Sequence, residues 1–394
     1  MKQEKEIVEP SDNVIILGAG ASYDAGIPLM AGFVEKMWEF SVRKKVNGEP
    51  MSSDDIDTFK KAIEIKNELN SYHGRASFDD MNLEDILSIL SFNEINLSSS
   101  KKSKLFTKAI SRTIELTCQV KHDGENKIQN YGQNCYRDFW CHLFINHTRY
   151  NKKMPVIISL NYDLVLERAL FQFLTGTMIV ANDIPVFGQG IEIDYHYEPV
   201  GKFHYIIEKT RLNFDSKERL ESRLRKGATE NPIRIEILKL HGSLNFPSAK
   251  TKETLSLVHP IDTPFILPPI INKMSSAKSI TNMWAVALQK LRSAKNIIIV
   301  GYSLPQTDIY MQYFLKTALG PNLNLNRVYV FDPVLYQQNA TSQDSKVMMD
   351  RYSSCFSPQL RNKKIIFWPG RKLGKAGGDF KHFVNELNRR DILF

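Results

Sequence analysis

Short blocks of apolar residues punctuate this chain, and each ends abruptly in small or polar residues. Val14-Ile15-Ile16-Leu17, Val156-Ile157-Ile158, Ile235 to Leu240, Ile297-Ile298-Ile299-Val300, Val328-Tyr329-Val330-Phe331 and the run 365–368 are rich in β-branched and aromatic residues. Such blocks, without strict alternation, predict strands covered on both faces, as in a parallel sheet. Helical spacing takes over between them, as in Tyr162, Leu166, Ala169, Leu170 and Phe173. Strands alternating with helices predict an α/β fold with a Rossmann-like, doubly wound, mostly parallel sheet. In such a sheet ligands bind beyond the carboxyl ends of the strands, where strand order reverses.

From 34 to 150 the pattern is helical instead. Leu83, Ile86, Leu87 and Leu90 share one helical face, with Asn82 as a plausible cap. Val34, Met37, Trp38, Ser41 and Val42 suggest another helix, and Lys101 to Val120 and Cys135 to His147 two more. This predicts a helical insertion module over 34–150, set into an α/β domain made of 1–33 and 151–394. Its aromatic residues Trp38, Phe92, Phe139, Trp140 and Phe144 are expected in the core. The charged, Pro- and Ser-bearing stretches 208–232 and 247–279 are expected to be surface excursions.

Composition narrows the class. With 394 residues and 42% hydrophobic content the chain can bury a substantial core. No apolar run reaches membrane-spanning length, and Met1 to Pro10 is charged rather than signal-like. The cysteines at 118, 135, 141 and 355 show no paired C-x-x-C pattern, so reduced thiols and a cytoplasmic location are expected. The net charge of +9 allows nucleic-acid contact without requiring it. Basic residues cluster at Lys101, Lys102 and Lys104 and again at Arg361, Lys363, Lys364, Arg371, Lys372 and Lys375. A solvated surface is the favoured reading of both; the sharper one is a face for an acidic partner or DNA.

The first apolar block carries the most chemistry. It runs into Gly18-Ala19-Gly20-Ala21-Ser22 and then Ala25-Gly26-Ile27-Pro28. A strand turning sharply into glycines lets the backbone approach a ligand, and free amides at a helix N-terminus suit a pyrophosphate. A dinucleotide is the expected ligand. The usual G-x-G-x-x-G fingerprint is broken, because Tyr23 stands where its third glycine belongs.

The longer string resembles the first nicotinamide-dinucleotide loop of the sirtuin family. Three further segments carry the same resemblance in the family's order. Ser159-Leu160-Asn161-Tyr162-Asp163 is similar to its Asn-x-Asp element, Leu240-His241-Gly242-Ser243 to its His-Gly element, and Gly301-Tyr302-Ser303-Leu304-Pro305 to its second glycine-serine loop. Together they span nearly the whole chain. The closer similarity is to the bacterial sirtuin-like NADases of anti-phage defence. Deacetylating sirtuins carry a zinc ribbon after the His-Gly element, but no cysteine lies between His241 and Gly301. The family's Asp-Phe-Arg after Gly-Ile-Pro is replaced by Leu29-Met30-Ala31. Both departures weaken the deacylase reading, and no zinc is expected.

The resemblance implies NAD as substrate and Asn161 and His241 as the catalytic pair. Their chemistry suits the task. An asparagine amide orients a ribose hydroxyl or a water without adding charge, and an imidazole titrates near neutrality and can take a proton. The resemblance also implies that Asp163 holds the nicotinamide carboxamide, although an aspartate there could equally cap the next helix. Gly301 and Ser303, with Tyr302 between them, would meet phosphate or ribose; a tight turn capped by Asp308 is compatible with that. Asp332 ends a strand, where it could accept from both hydroxyls of the adenosine ribose or simply start the turn before Pro333.

The implied reaction is cleavage of NAD to nicotinamide and ADP-ribose, draining the dinucleotide on phage infection. Two alternatives stand beside it: a deacylase or ADP-ribosyltransferase using the same cleft, and a non-catalytic NAD or ADP-ribose sensor. The short stretch beyond Trp368 leaves little room for a sensor. Control is therefore expected from homo-oligomer assembly and a separately encoded partner. The family's examples are a HerA-type ATPase and, less favoured, a short Argonaute, through which nucleic-acid contact would come.

Overall fold

A computed structural model describes residues 12–71, 79, 81–97, 102–122, 128–130, 135–176, 178–214, 217–250, 255–267, 278–306, 308–336, 343–358, 364–367 and 378–388. These residues form a nine-stranded sheet. We number its strands β1 (Asn13–Leu17), β2 (Val156–Ser159), β3 (Gly190–Asp194), β4 (Lys202–Phe214), β5 (Lys217–Lys226), β6 (Ile233–Lys239), β7 (Asn296–Val300), β8 (Arg327–Phe331) and β9 (Ile365–Phe367). The order across the sheet is β9-β8-β7-β1-β2-β6-β3-β4-β5. From β9 to β3 every pairing is parallel; β4 and β5 extend the edge as an antiparallel hairpin. The expected Rossmann-like α/β fold is what the chain adopts.

Strand β1 lies inside the sheet, and its five residues are all buried, as an apolar strand in a sheet covered on both faces requires. Val14 to Leu17 pair with Ile297 to Val300 on one side and with Val156 to Ser159 on the other. The chain leaves β1 toward β2 and later returns to β7 on β1's opposite flank. The order therefore reverses between β1 and β7, and the loops ending in Gly18 and Gly301 open side by side there.

The helical stretch holds α1 (Phe33–Arg43), α2 (Ser53–Asn70), α3 (Leu83–Leu97), α4 (Lys102–Thr117) and α5 (Cys135–Tyr150). Ser52 caps α2 by accepting from the Asp55 amide, and Arg112 of α4 pairs with the Asp55 carboxylate. Helix α5 packs on α6 (Val165–Leu174) and on α11 (Phe380–Asn388) of the α/β unit. Arg168 of α6, 2% exposed, stitches the two parts together. Its guanidinium reaches Glu115 of α4 and the carbonyls of Val120 and Val258.

Phe139, Trp140 and Phe144 are buried as expected, but Trp38 and Phe92 are exposed, at 56% and 68%. Helix geometry is the reason. Successive residues turn by about 100°. The buried set Phe33, Val34, Met37 and Phe40 thus leaves Trp38 off its face, and Leu83, Ile86, Leu87 and Leu90 leave Phe92 opposite.

The stretch 208–232 is not an excursion: most of its described residues pair in the β4–β5 hairpin. Residues 255–267 run back over the sheet ends, burying Leu257, Val258, Ile266 and Leu267. Lys102 pairs with Glu68, the Lys364 ammonium donates to the Leu325 carbonyl, and Lys104 is exposed. Lys101, Arg361, Lys363, Arg371, Lys372 and Lys375 lie outside the described residues, as do Trp368 and Met1 to Pro10.

Candidate functional site

The two glycine loops meet backbone to backbone. The Gly18 amide donates to the Val300 carbonyl and the Gly20 amide to the Gly301 carbonyl, carrying the β1–β7 ladder past the ends of the strands. A Cβ on Gly18 would stand 2.5 Å from the Gly301 oxygen; one on Gly301, whose φ is +63°, would stand 2.3 Å from the Ala21 nitrogen. The first closeness these glycines serve is therefore loop against loop. The expectation of free amides at a helix N-terminus is modified accordingly. Gly18, Gly20 and Ala21 amides are all spent on backbone carbonyls, and Ala19–Ala25 winds as a 3₁₀ helix.

That helix is anchored from outside the sheet. Tyr136 of α5 donates its hydroxyl to the Ala21 carbonyl at 2.8 Å, and the Gln119 amide donates to the Ala25 carbonyl. Gly26, at φ +85°, ends the 3₁₀ turn, with the Thr117 carbonyl only 2.7 Å from where its Cβ would be. The second loop is also wound left-handed at Leu304 (φ +48°), a strained state for a leucine that burial of its side chain offsets.

A cavity of about 620 Å³ opens between these loops and the ends of β2, β6 and β8. Asn161, Asp163, His241, Gly301, Tyr302, Ser303 and Asp332 all line it, joined by Ala19, Gly20, Ser22, Ile27 and Pro28 of the first loop. Gly18, Ala21, Ala25 and Gly26 stand behind that lining and hold its shape. Residues from five separated segments thus share one hollow.

Asn161 follows β2, and its side-chain amide donates from Nδ2 to the Gly18 carbonyl and to Ser22 Oγ, each at 2.8 Å. A carbonyl can only accept, so this contact fixes which end of the amide is nitrogen. It leaves Oδ1 as the acceptor that Asn161 can offer a water or a sugar hydroxyl. Asp163 Oδ1 accepts from the Val165 amide at 3.0 Å and so caps α6 while lining the cavity.

His241 follows β6 and is 7% exposed. Its ring lies between those of Tyr162 and Trp284, with centroids 6.3 and 6.2 Å away. Tyr162 donates its hydroxyl to the Leu267 carbonyl and Trp284 its indole N–H to Leu240, so each flank is tied to backbone beside the histidine. Gly242, at φ +87°, lets the 265–267 segment close over this corner, with a Cβ there only 2.2 Å from the Phe265 oxygen.

Four aspartates line the cavity, and among the described residues no lysine or arginine does. Asp308 caps the helix Ile309–Leu319 and accepts from the Tyr302 hydroxyl. Asp332 Oδ1 takes the Val334 amide at 2.9 Å, and Asp379 the His382 amide at 2.7 Å. Burial pushes the Asp332 carboxyl above the ordinary carboxylate range. Such a lining gives the cavity a negative potential.

The sequence reading did not anticipate that the helical module roofs this cavity. Leu83 and Leu87 of α3 and Thr107, Ile110 and Ile114 of α4 all face into it. The signal was present in the i, i+4 pair on α3, which reads as ordinary core until the sheet is placed beneath it. No described helix is long and apolar enough to cross a membrane. No protein-family model matches this chain, and no curated protein is significantly similar to it in sequence.

Proposed function

We propose that the chain is an NAD glycohydrolase. One observation carries this reading: Asn161 and His241, just past the ends of the neighbouring strands β2 and β6, line one cavity together with both glycine loops. NAD bears a cationic pyridinium, so breaking its bond to C1′ releases neutral nicotinamide without prior protonation. The bonding pair stays on the ring nitrogen, and the sugar passes through an oxocarbenium-like state. A lining that holds four aspartates and, among the described residues, no lysine or arginine suits that charge. Asn161 Oδ1 orients the attacking water or a ribose hydroxyl, and His241 takes the proton as the new C1′–O bond forms. In this reading Asp163 holds the carboxamide and Asp332 the adenosine ribose.

Water as acceptor is supported by the lack of cysteines between His241 and Gly301 and by Leu29, Met30 and Ala31, which line the cavity where deacylating sirtuins carry Asp-Phe-Arg. The resemblance to phage-defence NADases further supports an NAD-depleting effector held silent by self-assembly or a separately encoded ATPase partner. The test is to incubate the purified chain, alone and with its co-expressed genomic neighbours, with NAD and to follow nicotinamide release. Turnover that disappears in His241→Ala supports the reading. Binding of NAD without consumption in every assembly points to a sensor instead, and nicotinamide release that depends on an acyl-lysine peptide points to a deacylase.

A further inference from the structure

Lys239, the last residue of β6, is 1% exposed and does not itself line the cavity. Its ammonium donates to the Asp163 carbonyl and, at 3.1 Å, to Glu167 Oε1. Glu167, on α6, is fully buried; the same oxygen also accepts from the Tyr195 hydroxyl at 3.2 Å. Glu167 Oε2 has no hydrogen-bond partner among the described residues.

Lysine and glutamate are rarely buried this completely, and an apolar pair of similar volume would usually fill such a space at lower cost. What an apolar pair cannot do is hold a carbonyl at a set place. Asp163 lies two residues past Asn161, and Lys239 lies two residues before His241. Backbone bonds from Leu240 to Ser159 and from Leu244 to Tyr162 bracket the same two segments. The lysine side chain spans the gap between those brackets, so its length fixes how far one loop stands from the other.

We propose that Lys239, neutralised by Glu167, is a positioning residue that sets the separation of Asn161 and His241 across the cavity. This rests on the glycohydrolase reading for what the separation is used for.

The experiment compares the parent with Lys239→Met/Glu167→Gln, which removes both charges and leaves an acceptor for Tyr195. Should that pair fail to fold, Lys239→Met/Glu167→Leu replaces the charges by packing. Two measurements are made: hydrogen exchange of the amides from 160 to 165, and steady-state NAD hydrolysis alongside ADP-ribose affinity. Expected are faster exchange confined to that loop, a kcat lower by about 10- to 100-fold and an affinity within about 3-fold of the parent. Unchanged exchange, or unchanged kcat in an active parent, overturns the proposal. A parent that never hydrolyses NAD defeats the glycohydrolase reading instead, and the exchange measurement then still decides whether Lys239 positions the loop.

Discussion

Asn161, just past the end of β2, donates from Nδ2 to the Gly18 carbonyl at 2.8 Å, joining its own loop to the glycine loop that follows β1. Asn161→Asp would set an acceptor against that acceptor, whereas Asn161→Ala only deletes the bond. The aspartate variant is expected to be the less stable of the two, by about 1–3 kcal/mol, since it leaves like partial charges facing each other in a partly buried place. Both are expected to lose roughly 10²- to 10⁴-fold in kcat. Denaturant unfolding and steady-state nicotinamide release check this; equal stabilities would mean that the amide does not secure the loop.

Gly18 and Gly301 form a second coupled pair. Gly301→Ala is expected to destabilise by about 2–5 kcal/mol, combining left-handed strain with overlap onto Ala21. Gly18 lies at φ −102°, so Gly18→Ala carries the overlap alone, about 1–3 kcal/mol. Gly176 serves as the control: it has positive φ but nothing within 4 Å of an added Cβ, so alanine there is expected to cost about 1 kcal/mol. Thermal melts of the three variants should fall in that order.

Asp332 is held above the ordinary carboxylate range by burial. A raised carboxyl lends stability while it is protonated, below its unfolded pKa, and loses that contribution as pH rises through its folded value. Asp332→Asn is therefore expected to melt higher than the parent at neutral pH. The difference should vanish once pH drops below about 4. If the carboxylate accepts from the adenosine ribose, the same variant binds NAD about 10-fold more weakly. The parent should reject NADP, whose 2′-phosphate meets a negative group, and the variant should narrow that preference.

All four cysteines are free and buried, and burial pushes Cys118 and Cys135 up to about 12 and Cys141 up to about 11. Thiolate, not thiol, reacts with alkylating agents. In the folded protein at pH 8 none of the four is expected to be modified by iodoacetamide, while all four should react in denaturant. Intact-mass measurement distinguishes these outcomes; rapid labelling of Cys135 in the native state would mean that α5 opens away from the first loop.

How far the site could be read from sequence depended on how local its signals are. Val14 to Leu17, Val156 to Ile158 and Ile297 to Val300 announce themselves because a doubly covered strand needs apolar residues at successive positions. The β4–β5 hairpin hid because its strands face solvent at the sheet edge. Leu220, Ser222 and Leu224 alternate there with Glu221, Arg223 and Arg225, which reads as a charged surface run. Asn161 and His241 were found through their neighbours in sequence. Lys239 was not, since nothing local distinguishes a buried lysine from an exposed one. The roof from α3 and α4 was missed for a related reason: an apolar helix face states that it is covered, not by what.

The mutual packing of Gly18 and Gly301 also bears on biosynthesis. A ribosome-bound fragment that has not yet emerged past residue 301 lacks half of the glycine seam, and its first loop has no partner to close against. Neither glycine loop of a newborn copy can therefore settle into its final place until most of its translation is behind it.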